Sequence, residues 1–160
     1  MVELKEINED LRKDVVNLII ENWGSPVIVT KGQTHHIDRL PGYVMIEDDR
    51  ITGLITYDIK DNQSEIVSLD SFKENKGIGS RLLNKVIEKS QELGCSRVWL
   101  ITTNDNTRAI KFYKRREFDI CALHLNAVVE ARKIKPEIPL FGYNNIPILH
   151  EIEFEKILYI

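Results

Sequence analysis

A mixed α/β fold, in which helices pack on a mostly antiparallel sheet of about seven strands, is what this sequence predicts. Three observations predict it. Three runs rich in β-branched and aromatic residues, "YVMIEDD", "ITGLITYDI" and "SEIVSLDS", follow one another across the turn pairs Asp49-Arg50 and Asp61-Asn62, and turns that short join antiparallel neighbours. From Gly77 the apolar period changes to that of a helix, through Ile78, Leu82, Leu83, Val86, Ile87 and Leu93. A strand, short helix and strand come next, which predicts a right-handed crossover to a parallel neighbour.

The elements follow in order. "VELKEI" alternates as a first strand, and Leu11, Val15, Leu18, Ile19 and Trp23 then form one face of a helix with Asn8 as N-cap and Gly24 as its stop. "SPVIVTKGQTHHIDRLPG" has proline and glycine at its ends and no sustained period, so it reads as irregular, with short extended pieces, and as a substrate-facing loop. After the three-strand meander and the Gly77 helix, which stops at Gly94, "SRVWLITT" is a strand with a buried pattern. "NDNTRAIKFYKRR" is a short helix opened by Asn or Asp, and "EFDICALHL" is a further strand. "NAVVEARKI" forms a short helix and "KPEIPLFGYNNIP" a proline-punctuated loop. "ILHEIEFEKIL" sets Ile152 and Phe154 against Glu151, Glu153 and Glu155 in a final strand, whose glutamates either line a pocket or form the wet face of an amphipathic edge strand.

Composition narrows the function. The 160 residues are those of a single domain, 1–160, with no linker, repeat or low-complexity tract. Twenty-two Lys and Arg against 25 Asp and Glu give a net charge of -3, which offers no field toward nucleic acid or an acidic membrane. Cys95 and Cys121 lack metal-ligand spacing and read as small core residues. No secretory segment follows Met1, and no apolar run has the roughly 20 residues of a membrane span. A cytoplasmic protein is expected. His35 and His36 are adjacent and His124 and His150 have no ligand-like neighbours, so no metal site is expected.

Two stretches carry candidate chemistry. In "ENKGIGSRLL" two glycines precede a helix, either as a packing turn or because their bare N–H groups receive an anion at the helix N-terminus, with Lys73, Lys76 and Arg81 as a cationic rim. A P-loop would need GxxxxGK(S/T), and a dinucleotide fingerprint a third glycine where Leu82 stands. In "NTRAIKFYKRREF", Arg108, Lys111, Lys114, Arg115 and Arg116 crowd one helix. Such a face is either simply solvated or suited to a multiply phosphorylated ligand.

Together "KGIGSRLL" and "NTRAIKFYKRREF" resemble the two signature blocks of the GNAT superfamily of acetyl-CoA-dependent N-acetyltransferases. The first block is (Q/R)xxGx(G/A) at a strand-helix junction. The second is Asn, Ala three residues on, Phe-Tyr and a terminal Gly-Phe. Gly77 and Gly79 match, as do Asn106, Ala109, Phe112, Tyr113 and Phe118; Glu74 stands where Gln or Arg is usual, and Glu117 where Gly is usual. The resemblance covers Glu65 to Phe118 by motif and nearly the whole chain by element order.

The resemblance implies acetyl-CoA as co-substrate and direct transfer to a primary amine of a small molecule, peptide or protein within a ternary complex. It implies that the "SEIVSLDS" strand, at Val67 to Leu69, pairs with the pantetheine arm and offers an N–H to the thioester carbonyl. Lys76, Gly77, Ile78, Gly79 and Ser80 then hold the pyrophosphate, and Asn106, Ala109 and Phe112 flank the cofactor arm. Tyr113 matches the general acid, its phenol of pKa about 10 serving a thiolate of about 8 to 9, although such a Phe-Tyr pair also occurs simply as packing. Glu65 is the candidate base, or a solvated strand-end glutamate, with Asp70 its rival. Trp23, Tyr43, Phe141, Tyr143 and the glutamates of "HEIEFE" are candidates to line an acidic, aromatic acceptor pocket. The alternative class is a non-catalytic acyl-CoA sensor, suggested by the charge of Glu74. Exposed edge strands leave room for a homodimer.

Overall fold

A computed structural model of the chain describes residues 1–73 and 77–159. In chain order its elements are β1 (Val2–Glu6), α1 (Glu9–Trp23), β2 (Val27–Thr30), β3 (Gln33–His36), β4 (Gly42–Glu47), β5 (Arg50–Lys60), β6 (Gln63–Ser71), α2 (Ile78–Glu92), β7 (Arg97–Thr103), α3 (Thr107–Arg115), β8 (Asp119–His124), α4 (Ala127–Ile134) and β9 (Glu151–Ile157). Seven strands form a mixed sheet, and β2 and β3 form a separate two-stranded ribbon. The chain divides into two compact units, one of Met1–Ile28, His36–Val98 and Leu158–Ile160, the other of Val29–His35 and Trp99–Ile157.

In the first unit the strands run β1-β4-β5-β6, each pair antiparallel. The hairpin between β5 and β6 turns at Asp61-Asn62 as expected. That between β4 and β5 turns one residue early, at Asp48-Asp49, and Arg50 already belongs to β5. All four turn residues have positive φ, between 52° and 61°, the primed-turn geometry whose twist matches that of the strands and which Asp and Asn tolerate.

The two sheet faces of this unit are covered by different helices. Val15 and Ile19 of α1 pack with Ile7, Ile37, Val44, Leu54 and Val67. A side chain at Gly53, which alternates with Leu54 and so points the other way, would run into Ile78 and Leu82 of α2. Glycine there lets α2 lie close to the sheet. The N-cap Asn8 accepts from Leu11 N–H at 2.9 Å, and Gly24 at φ 77° ends α1, as its sequence predicts. The segment 25–42, expected to be irregular with short extended pieces, contains two such pieces that pair. It holds the β2–β3 ribbon, closed by Lys31-Gly32 with φ of 49° and 71°, and a 3-10 turn at Ile37–Arg39.

In the second unit the order is β7-β9-β8. The crossover expected from the strand-helix-strand pattern does not make neighbours of β7 and β8: β9, last in sequence, lies between them and pairs antiparallel with β8. The wet edge-strand alternative for β9 is overturned for the same reason. As an inner strand it buries Glu151 and Glu153, 3% and 4% exposed, as well as Phe154 on its other face. Asn104 ties down the proline-punctuated loop, its Oδ1 accepting from the N–H groups of Leu149 and His150 at 2.9 Å and its Nδ2 donating to Pro147 O at 2.9 Å. No helix among the described residues is long and apolar enough to cross a membrane.

Candidate functional site

In the first unit the candidate residues lie on β6 and at the start of α2. The β5–β6 register pairs Thr56 with Ser68 and Tyr57 with Ile66, which leaves Val67 as the extra residue of a bulge. The bulge changes which side chains share a face. Glu65 pairs with Asp58, Ser68 with Thr56 and Asp70 with Leu54; these three β5 residues alternate regularly, so Glu65, Ser68 and Asp70 share the α1 face despite their mixed parity. Ser68 and Thr56 join their hydroxyls at 2.6 Å. Glu65 is 6% exposed, so the solvated strand-end alternative does not hold for it. Leu69, paired with Ile55, points to the α2 face.

Asp70 is a perturbed carboxyl of this face. Burial pushes its pKa up from 3.8 to about 6, and the indole N–H of Trp23 partly offsets that rise. Of the aromatic residues expected around an acceptor, Trp23 thus meets Asp70, and Tyr43 does not join them. Tyr43 pairs with Ile55, stacks on Tyr57 at 6.2 Å and lines a cavity of about 540 Å³ on the α2 face with Leu4, Glu6, Lys85, Lys89 and Glu92. Burial, with the Tyr57 and Glu6 charges, raises the Tyr43 phenol.

At the entrance to α2, Gly77 takes the N-cap position at φ 68° and provides no side-chain cap, and no acidic residue lies in the first turn. Gly77 O receives the first intrahelical bond, from Arg81 N–H at 3.1 Å, so the N–H groups of Ile78 and Gly79 precede the first bond of the helix ladder. A Cβ built on Gly77 meets nothing within 4 Å among the described residues, so the glycine serves the left-handed backbone. Lys76 and Glu74 lie outside the described residues. Lys73 is paired with Glu47 at 2.8 Å.

The second unit holds the second block on α3. Asn106 is its N-cap, with Oδ1 accepting from Ala109 N–H at 3.1 Å, so the Asn-x-x-Ala spacing has a capping reason of its own; the cap uses the oxygen and leaves the Nδ2 donors. Tyr113 is 6% exposed, edge-on to Phe112 at 5.0 Å and to Phe118 at 5.5 Å, with Phe154 at 6.1 Å. The Arg116 guanidinium lies 3.6 Å from the Phe112 ring centroid, and its Nη1 donates to Phe112 O at 2.9 Å. Burial lowers the Arg116 pKa, with Arg115 acting in the same direction. Arg108, Lys111, Lys114 and Arg115 are exposed.

A cluster that sequence reasoning resolved only in part lies elsewhere in this unit, around β9. Glu153 Oε1 is 3.0 Å from both Lys31 Nζ and His124 Nε2, and Cys121 Sγ is 3.4 Å from Glu153 Oε2. Glu151 Oε1 accepts from Lys31 N–H at 3.0 Å, and Lys31 Nζ lies 4.9 Å from the centre of the Trp99 ring. A bulge between Ile120 and Ala122 turns Cys121, an exposed residue and not the core residue expected, toward Glu153. Burial raises the Glu151 carboxyl, against the opposing effects of the Lys31 N–H and the His124 and Lys31 charges. Phe141 and Tyr143 are exposed at 55% and 49%, outside this cluster. His35, 5% exposed, is bonded to Thr30 Oγ1 at 2.8 Å. Among the described residues no group of three His, Cys, Asp or Glu is arranged to hold a metal ion.

Comparison with known proteins gives these positions a context. A model of the acetyltransferase (GNAT) family matches residues 6–118. The Bacillus subtilis (strain 168) protein YxbD is 47% identical over 146 residues, covering 90% of this chain and 92% of its own. Among solved structures, an IAA acetyltransferase from Bacillus cereus superposes with a TM-score of 0.75 at 16% identity, covering 99% of this chain and 100% of its own. A GNAT family acetyltransferase from Elizabethkingia anophelis with acetyl-CoA bound does so with a TM-score of 0.69 at 18% identity, over 98% of each chain. At those identities the structural likeness is one of fold.

Proposed function

The chain belongs to the acetyltransferase (GNAT) family, and from that premise we propose that residues 1–160 act as one cytoplasmic N-acetyltransferase domain, moving an acetyl group from acetyl-CoA directly to a primary amine of a small molecule, peptide or protein. The observation that carries the reading is the break in the β5–β6 ladder at Val67, on the strand that leads into the uncapped start of α2. A bulge takes a backbone N–H out of its ladder, and an uncapped helix start offers several more. These are the two kinds of donor that a thioester carbonyl and a pyrophosphate require. Acetyl-CoA, when bound, supplies the activated acetyl group and a thiolate leaving group.

In this reading the N–H groups of the Val67–Leu69 stretch orient the thioester and stabilise negative charge developing on its oxygen. Gly77, Ile78, Gly79 and Ser80 receive the pyrophosphate, with Lys76 beside them. Asn106 Nδ2, Ala109 and Phe112 border the cofactor arm. Glu65 removes a proton from the acceptor ammonium, for which its buried position suits it better than an exposed carboxylate. Tyr113 gives its phenolic proton to the departing thiolate.

Titration with acetyl-CoA by calorimetry tests the cradle: binding at micromolar to low millimolar ligand is expected, and no binding at millimolar ligand overturns the reading. Release of free thiol in the presence of a primary amine then separates an enzyme from an acyl-CoA sensor, which would bind and release nothing.

A further inference from the structure

Two carboxylates that are almost fully buried on one face of an inner strand need a cation, because desolvated charge is costly unless it is paired. Glu151 and Glu153 stand at alternate positions of β9, and so on one face, at 3% and 4% exposure. A lysine that meets them, Lys31, comes from the turn of the β2–β3 ribbon. Its ammonium sits 3.0 Å from Glu153 Oε1 and 4.9 Å from the centre of the Trp99 ring, with its side chain 38% exposed. A carboxylate on one side and an aromatic face on another make an environment suited to a primary ammonium group.

The pairing is incomplete. His124 and Cys121 also reach Glu153, whereas Glu151 takes a single hydrogen bond among the described residues, from the Lys31 backbone N–H to Oε1. Glu151 Oε2 takes none among the described residues. The upward shift of the Glu151 carboxyl agrees with a carboxylate that is under-compensated.

We propose that Glu151, Glu153 and the Trp99 face form a recognition site for one primary ammonium group of a small diamine, and that the Lys31 ammonium is a tethered occupant which the ligand displaces. A free ammonium has three donors. It can take Glu153 Oε1 as Lys31 does and add Glu151 Oε2, which the tethered lysine leaves unused. Displacement leaves the ribbon attached, because the bond from Lys31 to Glu151 Oε1 is a backbone bond. The second amine of the ligand is then the one offered for acetylation. That last step rests on the acetyltransferase reading; the binding does not.

Calorimetry with 1,4-diaminobutane in the absence of acetyl-CoA tests the site in the wild-type chain, Lys31→Ala and Glu151→Gln, with butylamine as the single-amine control. Removing the tethered competitor is expected to tighten 1,4-diaminobutane by about tenfold or more, and Glu151→Gln to weaken it by about tenfold. Thermal melting verifies that both variants are folded, and Lys31→Ala, on an exposed turn, keeps the test available should Glu151→Gln not fold. Unchanged or weaker binding in Lys31→Ala, undiminished binding in a folded Glu151→Gln, or no binding to either wild type or Lys31→Ala overturns the proposal. Diamine binding without thiol release from any amine would leave the site standing and remove the proposed enzyme; the converse would remove the site alone.

Discussion

Tyr113 is both a core residue and the candidate acid, and its substitution separates the two roles. Its ring packs against Phe112, Phe118 and Phe154, so Tyr113→Phe keeps that packing and removes the phenol. The expected result is a fall in kcat of about 100-fold with acetyl-CoA affinity nearly unchanged, measured by steady-state kinetics and calorimetry. For Glu65→Gln the rate should fall mainly at pH values below the pKa of the acceptor amine, where a base is needed, and an unaltered pH profile would move that role to water or Asp70. Asp70 carries its own signature. Its pKa is raised from 3.8 to about 6 by burial, so the folded state favours the neutral acid. The stability this gives is fully present below about pH 4 and is lost as pH rises through about 6. Asp70→Asn, which has no charge to desolvate, should match wild type in acid and exceed it above pH 6 by up to about 3 kcal/mol. Urea unfolding at about pH 3.5 and about pH 7.5 measures the difference.

Among the elements, α3 shows how a departure from a family pattern acquires a physical cost. Its C-terminus is a Schellman motif, with Phe118 N–H bonded to Tyr113 O at 3.0 Å and Glu117 N–H to Lys114 O at 3.2 Å, and Glu117 sits at φ 65° where the motif favours glycine. Glu117→Gly should therefore stabilise the protein by up to about 1 kcal/mol, seen as a higher Tm, because a side chain in the left-handed region is strained. The helices and the meander were legible because their signals are local: Asn8 before α1, Gly94 after α2, the Asp61-Asn62 turn. The place of β9 was not. Strand order is a non-local property, and alternation of Ile152 and Phe154 with glutamates describes a strand with one wet face as well as an inner strand with buried, paired carboxylates. Partners distant in sequence, Lys31 and His124 among them, distinguish them. The bulge at Val67 was equally hidden, since a single inserted residue leaves the apolar pattern of "SEIVSLDS" intact while moving Glu65 onto the face of Asp70.

For the whole molecule, the family and the fold follow from a motif pair, a matching family model and a mixed seven-stranded sheet. In the proposed reading the acceptor is selected by the β2–β3 ribbon, the proline-punctuated loop and the β9 face of the second unit. Those segments carry Lys31, Glu151 and Glu153, and their chemistry favours a cationic amine. The central claim, that this chain moves acetyl groups from acetyl-CoA to primary amines, is tested most directly by following free thiol release from acetyl-CoA across a panel of mono- and diamines. The expected result is release that saturates with amine and drops about 100-fold in Tyr113→Phe. Acetyl-CoA that binds but yields no thiol above background with any amine would contradict it.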